Sequence, residues 1–138
     1  MSLRPNVLLA ADDGPEMKDI REFLRDHAAP TTARTLPELR RLLRQGSHDA
    51  FVCGSSFDSA SWKELLEIAE QESPGVPAIV LSRNTGGREW REALAAGAFD
   101  LVSLPVPLHT LLGIIEQAVA SQQARTRWTH FAAPQASA

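Results

Sequence analysis

Two adjacent carboxylates, Asp12 and Asp13, stand between the apolar run Asn6-Val7-Leu8-Leu9-Ala10 and the pair Gly14-Pro15. Neighbouring acids at the end of a buried segment repel each other and lose hydration, so they call for a divalent cation, a basic partner or open water. On a bare turn the same pair would be solvated and would gain from the positive end of a following helix. Polar groups end other apolar runs too. Gly54, Ser55 and Ser56 follow Ala50 to Cys53, Ser82 and Arg83 follow Ala78 to Leu81, and Pro105 follows Leu101 to Leu104. Gly54 has no side chain to offer and Ser82 has a hydroxyl. Ser55 and Ser56 could form a small anion-binding nest or an ordinary turn. Cys53, the only cysteine, lies in an apolar run and reads as a small buried hydrophobe, which leaves no disulfide and no zinc site. His27, His48, His109 and His130 show no spacing that brings two onto one face, so surface positions are expected.

The elements that must carry these groups alternate along the chain. The unbroken apolar character of Asn6 to Ala10 fits a strand buried on both faces, and from Pro15 onward Met17, Ile20, Phe23 and Leu24 recur at helical spacing. A weaker strand is expected at Pro30 to Ala33, then a helix from Pro37 that turns Leu39, Leu42 and Leu43 inward and stops at Gly46. The strand Ala50 to Cys53 leads to a helix over Ser61 to Glu72, and Ser73-Pro74-Gly75-Val76-Pro77 breaks the chain before the strand Ala78 to Leu81. A helix over Arg88 to Ala96 stops at Gly97, a short strand spans Leu101 to Leu104, and Pro107 opens a last helix with Leu108, Leu111, Leu112, Ile115 and Val119 on one side. Five strands alternating with five helices predict an α/β domain: a doubly wound, five-stranded parallel sheet between two helical layers, because parallel neighbours need a crossover helix. Such sheets bind ligands beyond the carboxyl ends of their strands, where the polar groups above fall.

A length of 138 residues with 43% hydrophobic content suits one domain. A net charge of -3 supplies no basic field for a phosphate backbone, so direct nucleic-acid binding by this segment is not expected. The apolar runs fall short of the ~18 residues a membrane span needs, and the start lacks an export pattern, so no membrane contact and a cytoplasmic location are expected. Residues 1–5 read as a disordered or vector-derived start, 6–120 as the domain, and 121–138 as a helix extension or linker tail whose Trp128 and Phe131 want a surface to cover.

Asn6 to Pro15, Asp49 to Gly54, Pro77 to Ser82 and Gly97 to Pro105 together resemble the receiver domain of two-component response regulators, over roughly residues 6 to 120. The resemblance implies a flavodoxin-like fold. It also implies an acidic pair, a phosphoacceptor Asp ending the third strand, a Ser or Thr ending the fourth and a Lys-Pro ending the fifth. Asp12, Asp13, Ser82 and Pro105 match that pattern. Counted from Asp49, Gly54 falls at the phosphoacceptor position, Leu104 at the lysine and Leu101 at the aromatic switch residue of the fifth strand. Phosphoryl transfer to a carboxylate needs the nucleophile, Mg²⁺ held by the acids, and a cation on the transferred group. The chain therefore resembles a degenerate, or pseudo-, receiver, and no enzymatic activity is expected.

Several expectations follow from those losses. Without a carboxylate at Gly54, Asp12 and Asp13 could hold at most a weak, mostly hydrated Mg²⁺, and no other cofactor is expected. Arg83 is the candidate to fill the space left by the lysine and neutralise both acids, with a solvent-facing loop arginine as the alternative. Asp58 could replace the acceptor only by a backbone rearrangement, and reads instead as a cap or loop acid. The resemblance, together with a proline at the end of a short buried strand, also implies a cis Leu104-Pro105 bond. The implied role is a phosphorylation-independent regulatory interaction or dimerisation module in signal transduction. A protein partner or second copy would dock on the face made by Arg88–Ala96, Leu101–Leu104 and Leu108–Ala120, with Arg88, Glu89, Arg91 and Glu92 able to pair across a twofold. Alternatives are a small-ligand sensor walled by Gly54, Ser82 and Leu104, or a receiver phosphorylated at an unconventional residue.

Overall fold

The computed structural model describes residues 4–83 and 87–136, with side chains as far as residue 124. The Met1-Ser2-Leu3 start lies outside the described residues, as do the side chains of Trp128 and Phe131.

Strands β1 (Asn6–Ala10), β2 (Ala29–Thr32), β3 (Ala50–Cys53), β6 (Ala78–Ser82) and β7 (Asp100–Ser103) form one parallel sheet in the order β2-β1-β3-β6-β7. Helices α1 (Pro15–His27), α2 (Leu36–Gln45), α3 (Trp62–Glu72), α4 (Gly87–Ala95) and α5 (Leu108–Ala136) make the crossovers. This is the expected doubly wound five-stranded sheet. Strand alternation sorts the core into two layers. Leu8, Ala10, Phe51, Cys53 and Val80 pack with Leu39, Leu43 and Leu65 of α2 and α3. On the other face, Val7, Leu9, Val52, Ile79 and Leu81 pack with Ile20 and Leu24 of α1 and Leu111 and Ile115 of α5. The edge strand β2 is only partly buried and contains Pro30, which an edge tolerates because one side of its ladder is unused.

Local signals fix the helix ends. The Thr35 hydroxyl accepts from the Glu38 N–H at 3.2 Å, the Glu38 carboxylate accepts from the Arg34 N–H at 2.6 Å, and Gly46 ends α2 at φ 67°. A capping box between Ser61 and Glu64 starts α3. Glu72 of α3 accepts from Arg40 at 3.0 Å and Arg44 at 2.8 Å, joining α3 to α2.

One feature departs from the sequence reading. The turn expected after Gly54 opens into a small antiparallel hairpin, β4 (Ser56–Phe57) with β5 (Ala60–Ser61), whose Phe57 and Ala60 are buried. Strands of two residues are too short to leave a periodic signal. Helix α5 runs to Ala136, over most of the segment read as a helix extension or linker tail; Ser121 to Arg127 is polar yet contains neither Gly nor Pro.

Candidate functional site

The sheet order reverses between β1 and β3, and the crevice at such a reversal is where doubly wound sheets place their ligands. β1 delivers Asp12 and Asp13 to it and β3 delivers Gly54. The Gly54 N–H donates to the Ala10 carbonyl at 3.0 Å. A Cβ on Gly54 would stand 2.9 Å from the Ala11 Cβ, closer than methyl groups approach, so β1 and β3 meet here in a way that admits glycine without adjustment.

The hairpin bonds to Asp12, which stays exposed. Asp12 accepts from the Ser56 hydroxyl at 2.7 Å and from the Asp58 N–H at 3.2 Å, while its own N–H donates to the Ser56 carbonyl at 3.3 Å. Asp13 pairs with Arg21 of α1 at 2.9 Å. Arg83 pairs with Glu16 in the first turn of α1. In place of Arg83, Arg21 supplies the counter-charge for Asp13, and neutral hairpin donors hold Asp12. The physical reason is that Glu16 offers Arg83 a carboxylate of its own. The Asp58 carboxylate accepts from the Leu36 N–H at 2.8 Å, capping α2 from a distant loop, and so is turned to a helix start. Ser55 donates to the Leu81 carbonyl at 3.3 Å, so both hydroxyls of the suspected nest are engaged within the protein.

On the β6 and β7 side, Ser82 is buried and donates to Glu89 of α4 at 2.6 Å. The sequence marked Glu89 only as a charge able to pair across a twofold, although an acid in the first turn of the helix after Ser82 is a signal for this contact. Leu104 lines the crevice, its N–H donates to the Ser82 carbonyl at 2.8 Å, and the Leu104-Pro105 bond is cis. Leu101 is buried against the α2, α3 and α4 side of the sheet. Together these groups enclose a pocket of about 490 Å³, whose apolar wall includes Met17, Trp62, Leu81 and Leu104.

The donor set does not fit an octahedral Mg²⁺. Both Asp12 oxygens accept hydrogen bonds, Asp13 is paired with Arg21, position 54 has no carboxylate, and the Ser56 carbonyl is turned onto the Asp12 N–H. Among the described residues, no cluster of three metal-ligating side chains occurs, and no helix is long and apolar enough to cross a membrane.

Away from the pocket, burial pushes the Cys53 thiol up to about 12, which fits an inert core cysteine. His48 is half-buried with neither ring nitrogen hydrogen-bonded. Loss of hydration holds its pKa below the usual imidazole value, and nearby Asp49 and the Leu42 carbonyl, the latter outside hydrogen-bonding geometry, offset this only in part. The histidines are not all isolated: the rings of His27 and His109 meet at the junction of α1 and α5.

A parallel sheet of this order, with acids after its first strand, a buried hydroxyl at the end of its fourth main strand and a cis proline after its fifth, is a doubly wound α/β arrangement. Comparison with known proteins finds the same fold in receiver domains. It is 26% identical over 113 residues, 80% of its length, to response regulator protein PilR of Pseudomonas aeruginosa, and it spans about a quarter of that relative's length. A receiver domain protein (CheY-like) from Methanospirillum hungatei superposes with a TM-score of 0.76 at 22% identity, covering 90% of this chain and 99% of that one. The receiver domain of a sensor histidine kinase from Pseudomonas aeruginosa, solved with magnesium coordinated in its active site cleft, superposes with a TM-score of 0.72 at 20% identity over 85% and 98% of the chains. No protein-family model matches the chain. The fold is that of a response regulator receiver.

Proposed function

We propose that this chain is an atypical receiver that works in signal transduction through protein–protein contact, independently of phosphorylation and of Mg²⁺, in the cytoplasm. The observation that carries the reading is Gly54 in its close approach to Ala11, which leaves neither a nucleophile nor room for one. The hairpin bonds to Asp12 support it, because they use the oxygens a metal would need.

The docking face is that of α4, β7 and α5. Trp90 of α4 is 45% exposed and is the one exposed large hydrophobic side chain among the described residues. Its indole N–H donates to Asp100 of β7 at 3.1 Å, which fixes the ring at the surface, and partly exposed tryptophans held in this way are frequent anchors of interfaces. Of the charges expected to pair across a twofold, Glu89 is turned to Ser82, and Glu92 is bound by Lys63 at 2.8 Å and Arg88 at 3.3 Å. Trp90 therefore replaces ion pairs as the anchor. A second reading, small-ligand sensing, is favoured by one observation, the apolar wall of the 490 Å³ pocket.

Incubation with acetyl phosphate and Mg²⁺ is expected to leave the intact mass unchanged, and Trp90→Ala is expected to weaken self-association or partner capture at least tenfold in sedimentation or binding assays. A phosphoryl mass gain would overturn the reading.

A further inference from the structure

We propose that His27 and His109 form a two-imidazole site for a transition-metal cation of the class that prefers nitrogen ligands, Zn²⁺, Ni²⁺ or Cu²⁺, at the junction of α1 and α5. The two residues are 82 positions apart in sequence, yet their ring centroids lie 5.6 Å apart with planes at 81°. Two imidazoles bound to one tetrahedral metal at about 2.0–2.1 Å have their centroids about 5 Å apart, close to the spacing of this pair.

The local chemistry prepares His27 as a ligand. Its Nδ1 lies 3.0 Å from the Phe23 carbonyl, and a carbonyl can only accept, so Nδ1 carries the proton. That leaves the Nε2 lone pair of a neutral ring available. A ligating histidine commonly donates its other N–H to a carbonyl in this way, which sets the tautomer and orients the ring. The Phe23 ring, stacked on His27 at 4.3 Å and edge-on to His109 at 5.0 Å, buttresses both imidazoles from one side. Both histidines are exposed, so water can complete the coordination shell. His27 is the last residue of α1, where unpaired carbonyls favour a cation. His109 is near the start of α5, where the dipole opposes one. The two helix terms work against each other, so affinity rests on the imidazoles, which favour Cu²⁺, Ni²⁺ and Zn²⁺ over Mg²⁺ and Ca²⁺. The site is separate from Asp12 and Asp13 and does not depend on the interaction reading given above.

The test uses the untagged full chain. Zn²⁺ titration calorimetry is expected to show one saturable site, weakened at least tenfold by His27→Ala or His109→Ala and unchanged by His48→Ala. Substoichiometric Cu²⁺ is expected to broaden amide NMR signals of residues 23–28 and 107–112 first, a readout on the wild-type protein that needs no substitution to fold. Absence of saturable Zn²⁺ binding, undiminished affinity in the double variant, or broadening centred on Asp12 and Asp13 or on His48 would each overturn the proposal.

Discussion

Along the carboxyl edge of the sheet, the β1–β3 side and the β6–β7 side use similar polar groups to different ends. On the first side every bond turns inward: Ser56 and the Asp58 N–H hold Asp12, and Arg21 holds Asp13. On the second side Ser82 reaches Glu89 on α4, the next residue, Trp90, bonds to Asp100, and the indole faces solvent. On the first side the polar groups fasten elements of the protein to one another, whereas on the second they run from a buried hydroxyl to an exposed indole. On the function proposed above, a reaction could be lost while a surface is kept, because the two depend on different strands.

The comparison breaks most visibly at Gly54. Gly54→Asp adds a Cβ at 2.9 Å from the Ala11 Cβ, and neither atom can rotate away. Overpacking of this kind costs about 1–3 kcal/mol. The reduced freedom of the unfolded chain returns only about 0.4–1 kcal/mol, so net destabilisation is expected in urea unfolding. Adding Ala11→Gly is expected to recover most of the loss as a non-additive pair. An unperturbed Gly54→Asp single variant would mean that β1 and β3 are not closed on each other.

That contact also marks the limit of what the residues alone disclose. The strand–helix alternation and the inward stripes of the helices follow from hydrophobic runs and their spacing, and so were legible from Asn6, Ala50 and Ala78 onward, whereas the strand order with its reversal at β1 and β3 is set by tertiary pairing. The absence of a carboxylate at Gly54 was equally plain. Where the orphaned acids would find partners was not, since Arg21, Ser56 and Arg83 are equally polar in sequence and only the hairpin at Ser56 to Ser61 decides among them. The meeting of His27 with His109 was missed for the same reason: spacing reveals neighbours within one helix, whereas these lie on two helices brought together by the sheet.

The inward fastening itself is tested by Ser56→Ala. A hydrogen bond to a charged group can contribute about 1.5–3 kcal/mol, but Asp12 is exposed and water replaces the hydroxyl, so a loss of about 0.5–1 kcal/mol is expected. The same substitution frees one Asp12 oxygen, and Mg²⁺ affinity measured by calorimetry is expected to rise above that of the wild type. A fall in stability without any gain in Mg²⁺ binding would leave Arg21 as the group that keeps the cation out.

The smallest effect sharpens the contrast from the opposite end of β3, where His48 precedes the strand. Its folded pKa is depressed by lost hydration, so the unfolded chain takes up the proton first. The associated stability is fully present above the ordinary value of 6.5 and is lost as pH falls through the lower folded value. The difference in Tm between wild type and His48→Asn is therefore expected to be constant above pH 7 and to shift against the wild type as the solution is acidified below that value. The ring is only half-buried, so water screens part of the effect. A difference independent of pH would show that the ring is hydrated in the folded state.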